Sequence, residues 1–365
     1  MSLVKELYYH SGLEALTIVL DDHYDFITTL PYQPARANSI LFKRVPESFN
    51  CTDLRSFYDS VRGMLGYESS IVFLTAAPVD DYLYKVDGEG RTAIIATVGL
   101  EPPVCYEHQD PGGRLVGTIN VAVVTDYRLS SNAFADLLRV TVEAKSAALS
   151  ELLLRCSSRS PGTVTDAVAI GGRLAESGGL IFAGVATRVG GWVFNNLYRG
   201  LVEVGLRRLG SEGLLRNVVG LSLDDLVELA VKLYERAPVP GVDLGYVRVK
   251  IRGILQSTLR DPNVWSMLVA ARELDLHATS GSIPGLSPED HLRDSKAIVA
   301  DELLAFALSM YINGFKGLLA TYWVERLKEG GSLDLRLPQF EDDVVSALLG
   351  STLSILYDKL LGDGG

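Results

Sequence analysis

The five residues Leu209-Gly210-Ser211-Glu212-Gly213 divide the chain. A glycine at the end of an apolar-periodic run is a helix stop, and the polar Ser-Glu-Gly that follows is a turn. Before this point short β-branched runs recur at residues 15–20, 39–45, 70–77, 91–100, 119–127 and 165–170, which read as strands of one sheet. Two helical patterns accompany them, at 131–156 and 184–209, with apolar residues three and four apart and a polar opposite face. Beyond the turn the strand signal almost disappears. Helical patterns follow at 223–236, 248–259, 262–276, 295–311, 314–328 and 341–361. The expectation is two domains: residues 1–210 as an α+β unit, a mixed sheet with packed helices, and residues 214–365 as an all-α bundle. A length of 365 residues suits two cores better than one.

Composition narrows the function classes. The net charge is -11 and no Lys/Arg-dense stripe is present, so a nucleic acid is a poor partner. Three cysteines, Cys51, Cys105 and Cys156, are widely spaced and lack CxxC or Cys/His pairing. They suggest neither a disulfide framework nor a zinc site, and a reducing cytoplasm is the expected location. The first twenty residues lack a signal-peptide layout, because Glu6, His10 and Glu14 interrupt them. The most apolar later stretches, 179–194 and 298–324, are broken by Arg188 in one and by Asp301, Glu302, Asn313 and Lys316 in the other, so no membrane span is expected. Homo-oligomerisation is left open.

Three clusters in the first half carry chemistry: Gly117-Thr118-Ile119-Asn120 at a strand entry, Val142-Glu143-Ala144-Lys145 inside a helix, and Gly162-Thr163-Val164-Thr165-Asp166 at a turn into a strand. Amide hydrolysis needs an activated water or nucleophile, donors for the oxyanion and a proton for the leaving amine. Asn120, Glu143, Lys145, Thr165 and Asp166 are candidate catalytic groups. Gly117, Thr118, Gly162 and Thr163 are candidate substrate-binding positions, the glycines because a backbone without Cβ can come close to a ligand. Taken alone, Glu143 and Lys145 read as solvated helix residues, since positions i and i+2 do not face each other, and Asp166 reads as a turn residue. No GxSxG occurs, and the histidines (His10, His23, His108, His277, His291) belong to no triad signature.

In order and separation these segments resemble the adenosylcobinamide amidohydrolase family, over roughly residues 28–204. The resemblance implies hydrolysis of the amide joining aminopropanol to a corrin propionate, giving adenosylcobyric acid. Val142, Pro161 and Ala186 depart from the family pattern, which leaves a corrinoid-binding module without turnover as an alternative.

In the second half acidic residues punctuate the helices. Asp224, Asp225, Asp342 and Asp343 suit first helical turns, where the dipole favours negative charge. Asp301 and Glu302 read instead as interruptions of an apolar helix, where an unpaired carboxylate is costly and a hard cation such as Mg²⁺ would relieve it. The segments Asp261-Pro262-Asn263-Val264, Val299-Ala300-Asp301-Glu302-Leu303, Tyr311-Ile312-Asn313-Gly314 and Phe340-Glu341-Asp342-Asp343 resemble the archaeal α-ribazole-5′-phosphate phosphatase family, related to the phosphatidylglycerophosphatase A group. That resemblance implies a Mg²⁺-dependent phosphatase, with Asp301, Glu302, Asp342 and Asp343 as both catalytic residues and metal ligands. Fusion of the two families is a known bifunctional arrangement in cobamide salvage. The expected partners are small molecules, a corrinoid and α-ribazole phosphate, with a lipid phosphate as the alternative for the second half.

Overall fold

The computed structural model describes residues 2–105, 118–293, 298–330 and 336–362. Gly117 and His108 lie outside them. Residues Met1–Arg208 and Leu209–Gly365 form separate compact units.

The first unit is built on an eight-stranded mixed sheet in the order β4-β3-β2-β8-β7-β6-β5, with β1 paired to β2. The strands are β1 (Val4–His10), β2 (Ala15–Thr28), β3 (Arg36–Arg44), β4 (Ser70–Thr75), β5 (Tyr82–Val86), β6 (Thr92–Val98), β7 (Ile119–Leu129) and β8 (Ala167–Leu174). Strands β3 and β4, and β7 and β8, run parallel; the other pairs are antiparallel. Strand β6, Thr-Ala-Ile-Ile-Ala-Thr-Val, is buried at every position, which explains an uninterrupted small and β-branched run in place of alternation. Helix α1 (Leu54–Leu65) packs Tyr58 and Val61 on Leu41 and Val72 of β3 and β4. Helix α2 (Ser131–Glu151) begins where the Ser130 side chain caps Ala133 N, and it packs over β7 and β8.

Every expected strand is present, and β1, β5 and α1 are additional. Strands β1 and β5 are half-polar and short of fully buried positions, so alternation is weak in both. For α1 the punctuation was available: Asp53 caps Ser56 N, and Gly66 closes the helix in the left-handed region at φ 77°.

One cysteine expectation is corrected. Cys105 and Cys156 form a disulfide across 51 residues, with a Cα–Cα distance of 5.4 Å, while Cys51 is free. No local motif announces this pair. It arises because the segment after β6 pairs with the loop before β8, through a Pro103–Thr163 bridge and a Val104 N–H donating to Gly162 O at 2.9 Å.

Helix α3 (Arg188–Val219) loses helical geometry at Gly210, whose φ is 57°. The second unit continues with α4 (Leu223–Tyr234), α5 (Leu244–Thr258), α6 (Pro262–Thr279), the short α7 (Pro288–Leu292), α8 (Ala300–Glu329) and α9 (Gln339–Gly362). Helix α8 begins at Ala300, after the non-helical Ile298 and Val299, so Asp301 and Glu302 sit in its first turn, where the helix dipole accommodates them; the expected start at Ser295 lies outside the described residues. Asn313 and Gly314 bend α8 with non-helical dihedrals. By length and composition α8 and α9 could each cross a membrane; the most apolar window of α9 is 67% buried inside the protein and that of α8 22%.

Helix α9 is the centre of this unit, packed by α4, α5, α6 and α8. Its small residues allow α8 close in: a Cβ on Gly350 would stand 2.7 Å from Thr321 N. Its first turn is anchored by α6. The buried Asp275 carboxylate accepts from Phe340 N at 3.0 Å and Glu341 N at 2.8 Å, a cap supplied by another helix. Arg272 pairs with Glu341 at 3.1 Å and His291 Nε2 lies 3.3 Å from Asp275, all four side chains being buried.

Two predictions follow from this packing. Gly350→Ala should destabilise the helical unit by about 1–3 kcal/mol through overpacking against backbone, read by urea unfolding. Burial, which outweighs the two backbone donors, pushes Asp275 up to about 7 from 3.8. A carboxyl raised in the folded state binds its proton there while the unfolded chain has released it, so its contribution to stability falls as pH rises from about 4 to about 7. Asp275→Asn keeps one of the two acceptors of the cap, at a cost that does not vary with pH, and loses the titration. The variant should therefore gain stability relative to the wild type across that window, measured as unfolding free energy against pH.

Candidate active site

The site of the first unit follows from one register. Strands β7 and β8 are parallel neighbours with Asn120 opposite Ala167, so the residues entering them, Thr118 on one and Thr165 and Asp166 on the other, come side by side. The Thr118 and Thr165 hydroxyls are 2.7 Å apart. Helix α2 lies over the same strands and lowers Lys145 onto Asp166 in a buried ion pair.

Asp166 is saturated with donors. One oxygen accepts from Lys145 Nζ and from Thr163 N at 3.0 Å; the other accepts from Ile119 N at 2.9 Å and from Thr163 Oγ1. A carboxylate so occupied makes a good anchor. Gly162 is required by this pair, because a Cβ there would fall 2.5 Å from Asp166 Oδ2 and 2.8 Å from Lys145 Nζ. The absence of a side chain at Gly162 makes room for the ion pair. Thr163 likewise spends both its N–H and its hydroxyl on Asp166.

Thr118, Asn120, Thr165 and Asp166 line a cleft of about 420 Å³. Its apolar wall comes from Leu30, Val45, Phe49, Leu54, Tyr58 and Leu74. Asn120 is buried, and its Nδ2 donates to Leu74 O at 2.9 Å. A carbonyl can only accept, so this bond fixes the amide orientation and leaves Oδ1 with no hydrogen-bond partner among the described residues. Sequence reasoning missed the wall because it missed α1, and the Asp53 and Gly66 signals were the way to find it.

Glu143 does not join the cluster. It stands on the exposed side of α2 and pairs with Arg139 at 2.6 Å, which also binds Asp136. Two residues from Lys145 on a helix, it points elsewhere. The three departures from the family pattern are also outside the cleft lining: Val142 is exposed on α2, Ala186 is exposed, and Pro161 serves through its carbonyl, which accepts from Ser146 Oγ at 3.0 Å.

In the second unit Asp301, Glu302 and Asp343 each offer a carboxylate oxygen, all within 4.8 Å of one another. Asp342, expected with them, turns to the buried Lys328 at 2.5 Å. Lys328 also meets Glu325 at 2.9 Å and Ser346 Oγ at 3.1 Å. Burial opposes its charge, but the Asp342 and Glu325 carboxylates raise its pKa above the ordinary value. Gln339 Nε2 donates to Asp301 Oδ2 at 2.6 Å and fixes that side chain. Burial first, and then the charge of Glu325, push Asp343 up to about 8. Three hard oxygen donors of this kind suit a cation of the Mg²⁺ class.

The family model described as adenosylcobinamide amidohydrolase matches residues 6–212. The adenosylcobinamide amidohydrolase of Methanosarcina mazei is 27% identical over 203 residues, 53% of this chain and 96% of that protein. The one from Halobacterium salinarum is 34% identical over 111 residues, 27% of this chain and 46% of that protein. Among solved structures, the low temperature requirement C protein from Listeria monocytogenes covers 41% of this chain and 94% of its own, at 21% identity and a TM-score of 0.34. With more than half of its length matched by the family model, the chain belongs to the adenosylcobinamide amidohydrolase family.

Proposed function

We propose that the first unit hydrolyses the amide between aminopropanol and a corrin propionate in adenosylcobinamide, releasing adenosylcobyric acid. The observation that carries this reading is the cleft floor, where Asn120, the Thr118–Thr165 hydroxyl pair and Asp166 line the space beneath an apolar wall. Its volume of about 420 Å³ suits the amide arm, with the macrocycle left at the mouth. The hydroxyl pair holds the attacking water against the carbonyl carbon, and the proton that water gives up passes through those hydroxyls to the amine nitrogen as the C–N bond breaks. The Lys145–Asp166 pair fixes the floor from behind. That the substitutions at Val142, Pro161 and Ala186 lie off the cleft supports turnover over mere corrinoid binding.

For the second unit the carboxylates of Asp301, Glu302 and Asp343 favour a phosphatase acting on α-ribazole 5′-phosphate. They would hold Mg²⁺, which when bound supplies a seat for phosphate oxygens and an acidified water. Gln339 orients Asp301, and Lys328 keeps Asp342 turned away from the three ligands.

Incubation of the purified chain with adenosylcobinamide, with products read by mass, tests the first reading; adenosylcobyric acid is the expected product, and tight binding without turnover would overturn it. Asn120→Ala and Lys145→Met should each lower the rate about 100-fold, the scale for misplacing the groups of the cleft floor by about an ångström. Gly162→Ala should do the same by driving Lys145 and Asp166 apart. Asp301→Asn should abolish phosphate release from α-ribazole 5′-phosphate with Mg²⁺ and leave amide hydrolysis intact. Release from phosphatidylglycerophosphate instead would assign the second unit to a lipid ester.

A further inference from the structure

Both ends of α8 meet the first turn of α9. In an unbroken helix residues 309 and 317 would stand about 12 Å apart, yet a Cβ on Gly317 would fall 2.6 Å from Ser309 O. The non-helical dihedrals at Asn313 and Gly314 therefore turn α8 back on itself as a helical hairpin. One arm brings Asp301 and Glu302 to the start of α9, and the other brings Glu325 and Lys328 to the same place.

Two sets of carboxylates result. Asp301, Glu302 and Asp343 face one another, with donor atoms within 4.8 Å. Glu325 and Asp342 face Lys328 instead. Its ammonium lies 2.9 and 3.0 Å from the two Glu325 oxygens, 2.5 Å from Asp342 Oδ2 and 3.1 Å from Ser346 Oγ. Asp343 stands between the sets, with Oδ1 4.0 Å from Lys328 Nζ. A lysine ammonium has three N–H groups, and the oxygens of Glu325, Asp342 and Ser346 take up all of them. Lys328 thus keeps no donor for a phosphate oxygen, and its place in the cluster is that of a fixed charge.

A shell of carboxylate and hydroxyl oxygens is what a hard divalent cation takes, and many phosphate-hydrolysing sites hold two such ions side by side. Here one of two adjoining oxygen shells is already filled by a side chain of the protein. We propose that the Lys328 ammonium stands in the place of a second divalent cation, so that the carboxylates at the joined ends of α8 and α9 take one Mg²⁺ and not two; this rests on the reading of Asp301, Glu302 and Asp343 as a Mg²⁺ site. Lys328 is then a positioning residue, holding Glu325 and Asp342 as the second ion would and keeping both from the first.

Mn²⁺ binding to the full chain, counted and read by electron paramagnetic resonance, tests this. The wild type should take up one ion with the spectrum of an isolated Mn²⁺, and Asp301→Asn should lose it. Lys328→Met leaves Glu325 and Asp342 without their cation, so it should take up two ions, with the exchange coupling expected of a pair that shares Asp343. Adding Asp342→Asn to Lys328→Met removes one of those carboxylates and should return the count to one. A coupled pair in the wild type overturns the proposal without any variant having to fold. A count of one in a Lys328→Met chain whose circular dichroism matches the wild type also overturns it, and leaves the Mg²⁺ site standing. A wild type that binds no Mn²⁺ overturns the Mg²⁺ reading itself, and this proposal with it.

Discussion

The carboxylate of Asp166 is the interaction on which the first unit's site depends. Four donors from three segments converge on it: an ammonium from α2, a backbone N–H from β7, and the N–H and hydroxyl of Thr163 from the loop before β8. None of these segments has a reason of its own to end where it does. The β7–β8 register brings the strand entries together, the missing side chain of Gly162 opens the space, and the carboxylate ties the three segments to one point. The threonines and Asn120 on the cleft floor inherit their positions from that knot.

Much of the first fold was legible because its central strands are buried on both faces and therefore read as unbroken apolar runs. The α+β character of the first half and the helical character of the second follow from that contrast. The elements that escaped notice have mixed exposure, as β1 and β5 do, or an amphipathic pattern diluted by polar residues, as in α1. The pairing of Cys105 with Cys156 was invisible for a different reason: it is made by chain segments that only tertiary pairing brings together. Of the candidate site residues, Thr118, Asn120, Thr165 and Asp166 share one cleft. Gly162, Thr163 and Lys145 stand behind it, and Glu143 faces away.

In the second unit the difficulty was one of helix ends. Asp301 and Glu302 read as charges inside an apolar helix when the pattern is taken from residue 295; with α8 beginning at Ala300 they occupy a first turn and meet Asp343 from α9. The groups that hold this arrangement, Gln339, Lys328 and Asp275, carry no motif. Their importance comes from burial and from reaching a neighbouring helix, neither of which is local to the sequence.

The orientation of Asn120 has a consequence for how the strands are held. Strands β4 and β7 are separated in the sheet by β3, β2 and β8, yet the Asn120 carboxamide reaches from the start of β7 to Leu74 O near the end of β4. That bond leaves Oδ1 buried with no partner among the described residues, so the tie is made at the desolvation cost of one amide oxygen. An ionised aspartate in its place would lack the donor that makes the tie.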